Sequence, residues 1–324
     1  MAFFDDLETR SSDQRSTENA ALLKDILNLA ANLDGYKAIL GSVDLSTFKS
    51  LEDLSFLPVL RKSELSKKQV KGNLFGGYSA KKPDDFAHIF QSPGPIYEPG
   101  GVSHDWWRIG RFLHALDIGK GDIVHNCFSY HLTPAGMIFE SGARAVGAAV
   151  VPAGVGQTEL QVRAASDIGS NVYSGTPDYL KIILDKAAEM GEKLSFNRAA
   201  VGGGALFPSL RQEYADRGIV CRQNYATADL GNVAYESEAL DGMIVDEGVI
   251  VEIVTPGTGN PVPIGEVGEV VVTSLNADYP LIRFATGDLS AFMEGVSPCG
   301  RTNIRIKGWM GRADQTTKIK GLFV

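Results

Sequence analysis

"NVYSGTPDYLKIILDKAAEMG", residues 171–191, joins a short apolar strand to a helix that is marked at both ends. Val172 and Tyr173 are a β-branched and an aromatic residue, the types that suit a pleated, buried surface. Thr176 can cap a helix, and Pro177 suits the first helical position, where its missing N–H would be unsatisfied anyway. Leu180, Ile183, Leu184 and Ala187 then share one face at helical spacing, and Gly191 supplies the stop. The Ser174-Gly175-Thr176 run is therefore read as a helix cap, not as a phosphate loop.

The same alternation extends upstream. A helix is predicted over 105–116, a turn at "GKGD", a strand over 123–128, a helix over 137–146, a strand over 148–151 and a helix over 159–167. Strands separated by helices indicate a parallel sheet covered on both faces, the α/β class. Nearer the start, Leu22, Leu23, Ile26, Leu27, Ala30 and Leu33 recur at helical spacing, and Gly35 is read as the stop of that helix. Past about residue 235 the pattern changes. "GMIVDEGVIVEIVTPGTGNPVPIGEVGEVVVTSL", residues 242–275, sets β-branched runs between Gly- and Pro-rich turns, as in a β meander or small barrel. The expected organisation is an α/β body over 1–235, a β-rich, barrel-like subdomain over 236–310 and a hinge segment over 311–324.

The chain has 324 residues and a formal net charge of −8. That balance argues against a surface built to neutralise nucleic-acid phosphates or anionic lipids. Three widely spaced cysteines, Cys127, Cys221 and Cys299, fit reduced thiols better than a disulfide framework. "MAFFDDLETR" carries Asp5, Asp6 and Glu8 where a secretion signal needs positive charge. No apolar stretch reaches the ~20 residues needed to cross a bilayer. A cytoplasmic protein is expected.

Four places could carry chemistry. Gly202-Gly203-Gly204 follows apolar residues 199–201 and precedes Pro208, so its backbone N–H groups either meet a ligand or make a tight structural turn. In "NYATADLGN", residues 224–232, Tyr225 could stack on a flat ring, Thr227 lies beside it, and Asp229 could hold a metal ion. The competing reading is an aromatic core residue beside a solvated carboxylate. "LIRFATGDLS", residues 281–290, ends a strand in Thr286-Gly287-Asp288, where a carboxylate could accept from paired ribose hydroxyls. "GWMGRADQTTKIKGLFV", residues 308–324, sets Arg312, Asp314, Lys318 and Lys320 near glycines.

Taken in order, these motifs resemble the adenylate-forming acyl-CoA synthetase superfamily. "FLPVLRKSEL", "GTGNPVPIGEVGEVVVTSL", "YPLIRFATGDL" and "CGRTNIRIKGWMGRADQTTKIKG" resemble its phenylacetate-CoA ligase-like branch, and the resemblance runs from about residue 50 onward. It implies a two-step reaction. A small, possibly aromatic, carboxylic acid and ATP give an acyl adenylate, and coenzyme A then displaces AMP. The resemblance implies that Gly202, Gly203, Gly204, Tyr225 and Thr227 hold the adenine side and that Asp288 binds ribose. It further implies that Arg312 approaches ribose or phosphate, that Asp229 binds Mg2+ and that Asp314 is a catalytic hinge. "NCFSYHLTPAG", residues 126–136, would line the acyl pocket through Phe128, Tyr130 and His131.

The pattern also has departures. The family's phosphate loop is rich in hydroxyl residues and glycines, whereas "QSPGPIYEPG", residues 91–100, keeps Ser92 and Gly94 but places Pro93 and Pro95 where N–H donors are wanted. Glu98 would add negative charge beside a triphosphate. Ala228 stands where a hydroxyl residue would precede the metal-binding carboxylate. The family's transition-state lysine belongs to a lid domain beyond the hinge, so the expectation is an impaired ligase or one completed by a protein partner. The alternative is a non-catalytic carboxylate- or nucleotide-binding protein of the same descent. One cysteine, Cys299, does not make a zinc site.

Overall fold

The computed structural model describes residues 3–41, 43–313, 318–319 and 322–323. In chain order the first elements are α1 (Ser12–Ala30), α2 (Asp34–Leu40), β1 (Leu60–Arg61), α3 (Lys62–Lys68), β2 (His88–Ser92) and β3 (Ile96–Gly100). Next come α4 (Gly110–Ala115), β4 (Ile123–Asn126), α5 (Ala135–Ala145), β5 (Ala149–Val151), α6 (Thr158–Ile168), β6 (Val172–Gly175), α7 (Pro177–Met190), β7 (Arg198–Val201) and α8 (Pro208–Asp216). The remaining strands are β8 (Val220–Thr227), β9 (Gly231–Tyr235), β10 (Met243–Val245), β11 (Val249–Val254), β12 (Gly268–Ser274), β13 (Phe284–Ser290), β14 (Phe292–Met293), β15 (Arg305–Ile306), β16 (Lys318–Ile319) and β17 (Leu322–Phe323). The chain divides into two compact units. One is built on Phe90–Ser92 and Gly100–Asp241, the other on Asp5–Ile89, Pro93–Pro99 and the chain from Gly242 onward.

The first unit holds the parallel strands, in the order β5-β4-β6-β7-β8, with β9 paired antiparallel to β8. Every residue of β6 is buried, so both faces of this strand are covered. One face packs Tyr173, Ala199, Val201 and Cys221 against Val162 of α6, Leu180 and Ile183 of α7 and Tyr214 of α8. Chain order places β5 on one side of β4 and the next strand, β6, on the other. The carboxyl ends of β4 and β6 therefore form the switch point at which sheets of this kind bind ligands.

The second unit builds a four-stranded sheet, β1-β13-β12-β11, whose last three strands are an antiparallel meander and whose β1 joins β13 in parallel. Strands β10, β14 and β15 pair antiparallel beside it in the chain. This unit depends on buried ions. Arg283 is 1% exposed, donates to both carboxylate oxygens of Glu252 at 3.0 Å, and also reaches the carbonyls of Leu57 and Gly259. Helix α1 docks through Arg15, which holds both oxygens of Glu247 at 3.0 and 3.1 Å, and Arg10, just before the helix, reaches the same carboxylate at 2.7 Å. Arg301 donates to Glu8 at 2.9 Å.

Three local expectations are corrected. The first helix ends at Ala30, and Gly35 lies within α2, where its N–H donates to Gly77 O at 2.9 Å. Glycine is needed there for close approach, since a Cβ would come within 2.9 Å of the Gly77 carbonyl carbon. The helix predicted from residue 105 begins at Gly110, because Asp105 and Arg108 adopt positive φ and Asp105 Oδ2 accepts from Gly110 N at 2.8 Å. Thr176 stands at the cap position of α7 without a side-chain cap bond, and Pro177 is its first residue as predicted.

Removing the buried guanidinium strands Glu252, whose carboxyl burial already raises above the usual range against the pull of Arg283. Arg283→Ala is expected to cost on the order of 3–5 kcal/mol, read as a lower urea midpoint with an unchanged slope.

Candidate functional site

On the first unit, the segment after β4 is shaped by Asn126. Its Nδ2 donates to Tyr130 Oη at 2.8 Å and to Gly136 O at 2.9 Å, and its Oδ1 accepts from Phe128 N. An asparagine at the buried end of an apolar strand is itself a signal of such a role, because amides are disfavoured there unless bonded. Phe128 is buried and stacks on Phe139 with centroids 4.2 Å apart. Tyr130 is half-buried and packs closely on Gly136, where a Cβ would fall 2.7 Å from the ring. His131 is exposed and lies away from this packing.

Gly202 is buried directly after β7 and donates to Gly175 O at 3.2 Å, while Gly203 and Gly204 are exposed. Gly203 has φ +68°, and a Cβ on it would stand 3.8 Å from Phe128 and 4.0 Å from Thr176, so the glycine turn and Phe128 meet at the switch point. Tyr225 is buried in β8 beside a register shift, a core position with its ring enclosed. Thr227 Oγ1 accepts from Leu230 N at 3.1 Å, which tightens the turn carrying half-buried Asp229. Among the described residues no group of three His, Cys, Asp or Glu side chains is placed to hold a metal ion. Ser92 is buried at the end of β2.

Beneath the switch point, Gln161 ties two elements together. Its Nε2 donates to Gly154 O and Gly156 O at 2.9 and 2.8 Å, so its Oε1 is turned to His125 Nε2 and Cys127 Sγ, each 3.1 Å away. Burial lowers the His125 pKa below its usual 6.5 and raises that of the Cys127 thiol. Both are core residues, as their alternation along the strand suggests.

On the second unit, β13 carries Asp288 on a bulge. Glu269 pairs with Leu289 and Val271 with Ala285, so Val270 alone stands opposite Thr286, Gly287 and Asp288. Thr286 Oγ1 donates to Val270 O at 3.0 Å and accepts from Asp288 N at 3.2 Å, which holds the bulge shut. Bulges of this kind re-aim a side chain out of the ladder. Here the side chain is Asp288, whose Oδ1 receives Arg312 Nη1 at 3.2 Å. Beside the pair opens a cavity of about 330 Å³ lined by Arg61, Lys62, Gly287 and Arg312, with Glu269 bound to Arg61 at 3.3 Å. With Asp288 on Arg312 and Glu269 on Arg61, three cations meet two carboxylates there, which leaves one positive charge in excess for phosphate oxygens.

Pro93, Gly94 and Pro95 form an exposed turn between β2 and β3, whereas Glu98 is buried rather than facing outward. Asp314, Lys320 and Gly321 lie outside the described residues. No helix among the described residues is long and apolar enough to cross a membrane.

No family model matches the chain. It is 28% identical over 344 residues to the phenylacetate-coenzyme A ligase of Thermus thermophilus, covering 100% of this chain and 76% of the relative. It is 30% identical over 290 residues to that of Aromatoleum evansii, covering 85% of this chain and 64% of the relative. Among solved structures, an open conformation of 2-hydroxyisobutyryl-CoA ligase in complex with 2-HIB-AMP and CoA matches with a TM-score of 0.90 at 24% identity, over 98% of this chain and 79% of that one.

The His125 shift sets a pH dependence. An unfolded imidazole takes a proton as pH falls through 6.5, while the buried one resists it, so stability falls below that pH toward the lowered native value. The slope is at most about 1.4 kcal/mol per pH unit for this proton. Urea midpoints of wild type are expected to drop between pH 7.5 and 5.5, and His125→Gln is expected to flatten that part of the curve.

Proposed function

Since the chain belongs to the adenylate-forming superfamily, in its phenylacetate-coenzyme A ligase-like branch, we propose that it is an AMP-forming ligase for a small, aromatic carboxylic acid. An oxygen of the acid bonds to the α-phosphorus of ATP as the bond to pyrophosphate breaks. The sulfur of coenzyme A then bonds to the acyl carbon, and AMP leaves. The observation that carries this reading is the Asp288–Arg312 pair, whose arginine lines a cavity shared with Arg61 and Lys62. It presents a carboxylate suited to ribose hydroxyls next to charge suited to phosphate.

Each unit contributes separately to this reading. On the first, the stacked Phe128 ring and the Tyr130 ring held by Asn126 offer an apolar wall to the acyl group. Gly203 and Gly204 leave backbone exposed and, with Thr227, form the adenine side, for which the buried Gly202 and Tyr225 are packing residues. On the second, Asp288 accepts from ribose, and Arg312, Arg61 and Lys62 balance phosphate charge. Asp229 is the single carboxylate that would hold Mg2+. One carboxylate fits an ion that arrives with phosphates and keeps several waters. When bound, that ion neutralises charge on the departing pyrophosphate.

A second reading, a binding protein that holds nucleotide or acid without activating it, is favoured by the Pro93–Pro95 turn. Two of its three residues lack the N–H groups that would grip β- and γ-phosphates. Calorimetric titration with Mg-ATP and, separately, with AMP divides the two. Binding of both, with acyl-CoA formed from an aryl acid, is the expected outcome of the ligase reading. Binding of AMP without ATP supports the second reading, and binding of neither defeats the ligase reading and leaves a protein that holds the acid alone.

Asp288→Ala is expected to cost on the order of 1–3 kcal/mol of AMP affinity in the same calorimeter. Pro93→Thr combined with Pro95→Thr is expected to strengthen ATP binding and leave AMP binding unchanged.

A further inference from the structure

The carboxylate on which the ribose assignment rests is partly occupied by the chain itself. Asp288 Oδ1 accepts from the indole Nε1 of Trp309 at 3.1 Å as well as from Arg312 Nη1 at 3.2 Å. The main chain sets this arrangement. Lys307 N donates to Ala291 O at 3.0 Å, Met310 N to Leu289 O at 2.9 Å and Leu289 N to Gly311 O at 2.9 Å, so residues 307–312 run antiparallel along β13. Arg312 has a second anchor, since its Nη1 also donates to Thr286 O at 3.3 Å, although its side chain is 40% exposed. Trp309 is 54% exposed, whereas the Asp288 side chain is 14% exposed.

The two donors differ in strength. The guanidinium bond is charge-assisted and the indole bond is not, so the indole is the one that yields first. A carboxylate oxygen has about two lone-pair sites, and Oδ1 already has two N–H donors. A ribose presents two adjacent hydroxyls, which a carboxylate recognises best with both of its oxygens. For that, one donor must leave Oδ1.

We propose that Trp309 is a built-in occupant of the ribose site: its indole N–H holds Asp288 Oδ1 until the vicinal diol of a nucleoside or nucleotide displaces it. Trp309 therefore lowers nucleotide affinity and responds to occupancy. This rests on the assignment of Asp288 to ribose, and the test separates the two.

AMP is titrated into wild type and Trp309→Phe by calorimetry and by intrinsic fluorescence, with 2′-deoxy-AMP as the ligand lacking the diol. Trp309→Phe is expected to bind AMP about two- to tenfold more tightly, the competing hydrogen bond being gone. Wild-type emission is expected to change on AMP addition, and that change is expected to be absent in Trp309→Phe, in which Trp106 and Trp107 remain. With 2′-deoxy-AMP the gain in affinity of Trp309→Phe over wild type is expected to shrink. Equal AMP affinity and equal emission change in the two proteins would overturn the proposal and leave Asp288 as the ribose partner. Weaker AMP binding by Trp309→Phe would also overturn it, marking the indole as a ligand contact. Failure of wild type and Trp309→Phe alike to bind AMP would overturn the ribose assignment and the proposal with it.

Discussion

The register of β13 is the constraint on which the candidate chemistry depends. This strand is paired on both edges, to β1 in parallel and to β12 antiparallel, and a slip of one residue would turn every side chain to the opposite face. The bulge at Thr286–Asp288 absorbs two extra residues without disturbing the pairs on either side. Asp288 is thus displaced from the ladder while Phe284 and Leu289 remain in the core. A local irregularity supplies the functional geometry, and the regular pairing around it supplies the rigidity.

Much of the first unit was legible in the sequence because its signals are local. Residues 171–191 encode strand, cap, apolar face and stop within one stretch, and the strand and helix that follow from it stand where periodicity places them. The second unit was legible in composition but not in connectivity. Pairing of Leu60 with Phe284 closes a loop of more than two hundred residues, and nothing in either segment names its partner. The candidate site shows the same split. Phe128 and Gly202–Gly204 announce themselves by residue type at strand ends, whereas Asp288, expected to close a strand, lies on a bulge within β13, which continues to Ser290. The roles of Asn126 and Gln161 depend on which carbonyls and hydroxyl the fold brings within 3 Å of their amides. Gly35 misled for a related reason, since a glycine chosen for close approach to Gly77 reads in sequence like a helix stop.

The phosphate question divides between two segments. The Pro93–Pro95 turn offers few donors to an anion, yet Arg61, Lys62 and Arg312 gather around a cavity that the sequence disperses over 250 residues. Charge that a loop motif would have advertised is instead assembled by tertiary structure, so motif reading alone understates it.

Helix α1 is seated by arginines as well as by Leu23, Ile26 and Leu27. Arg15 is 7% exposed and Glu247 6% exposed, so mobile ions from the solvent cannot intervene between them. Raising ionic strength would weaken outlying pairs such as Lys181–Glu213 and leave this seam intact. The amino-terminal helix is thus held by electrostatics that behave, toward salt, like a hydrophobic contact.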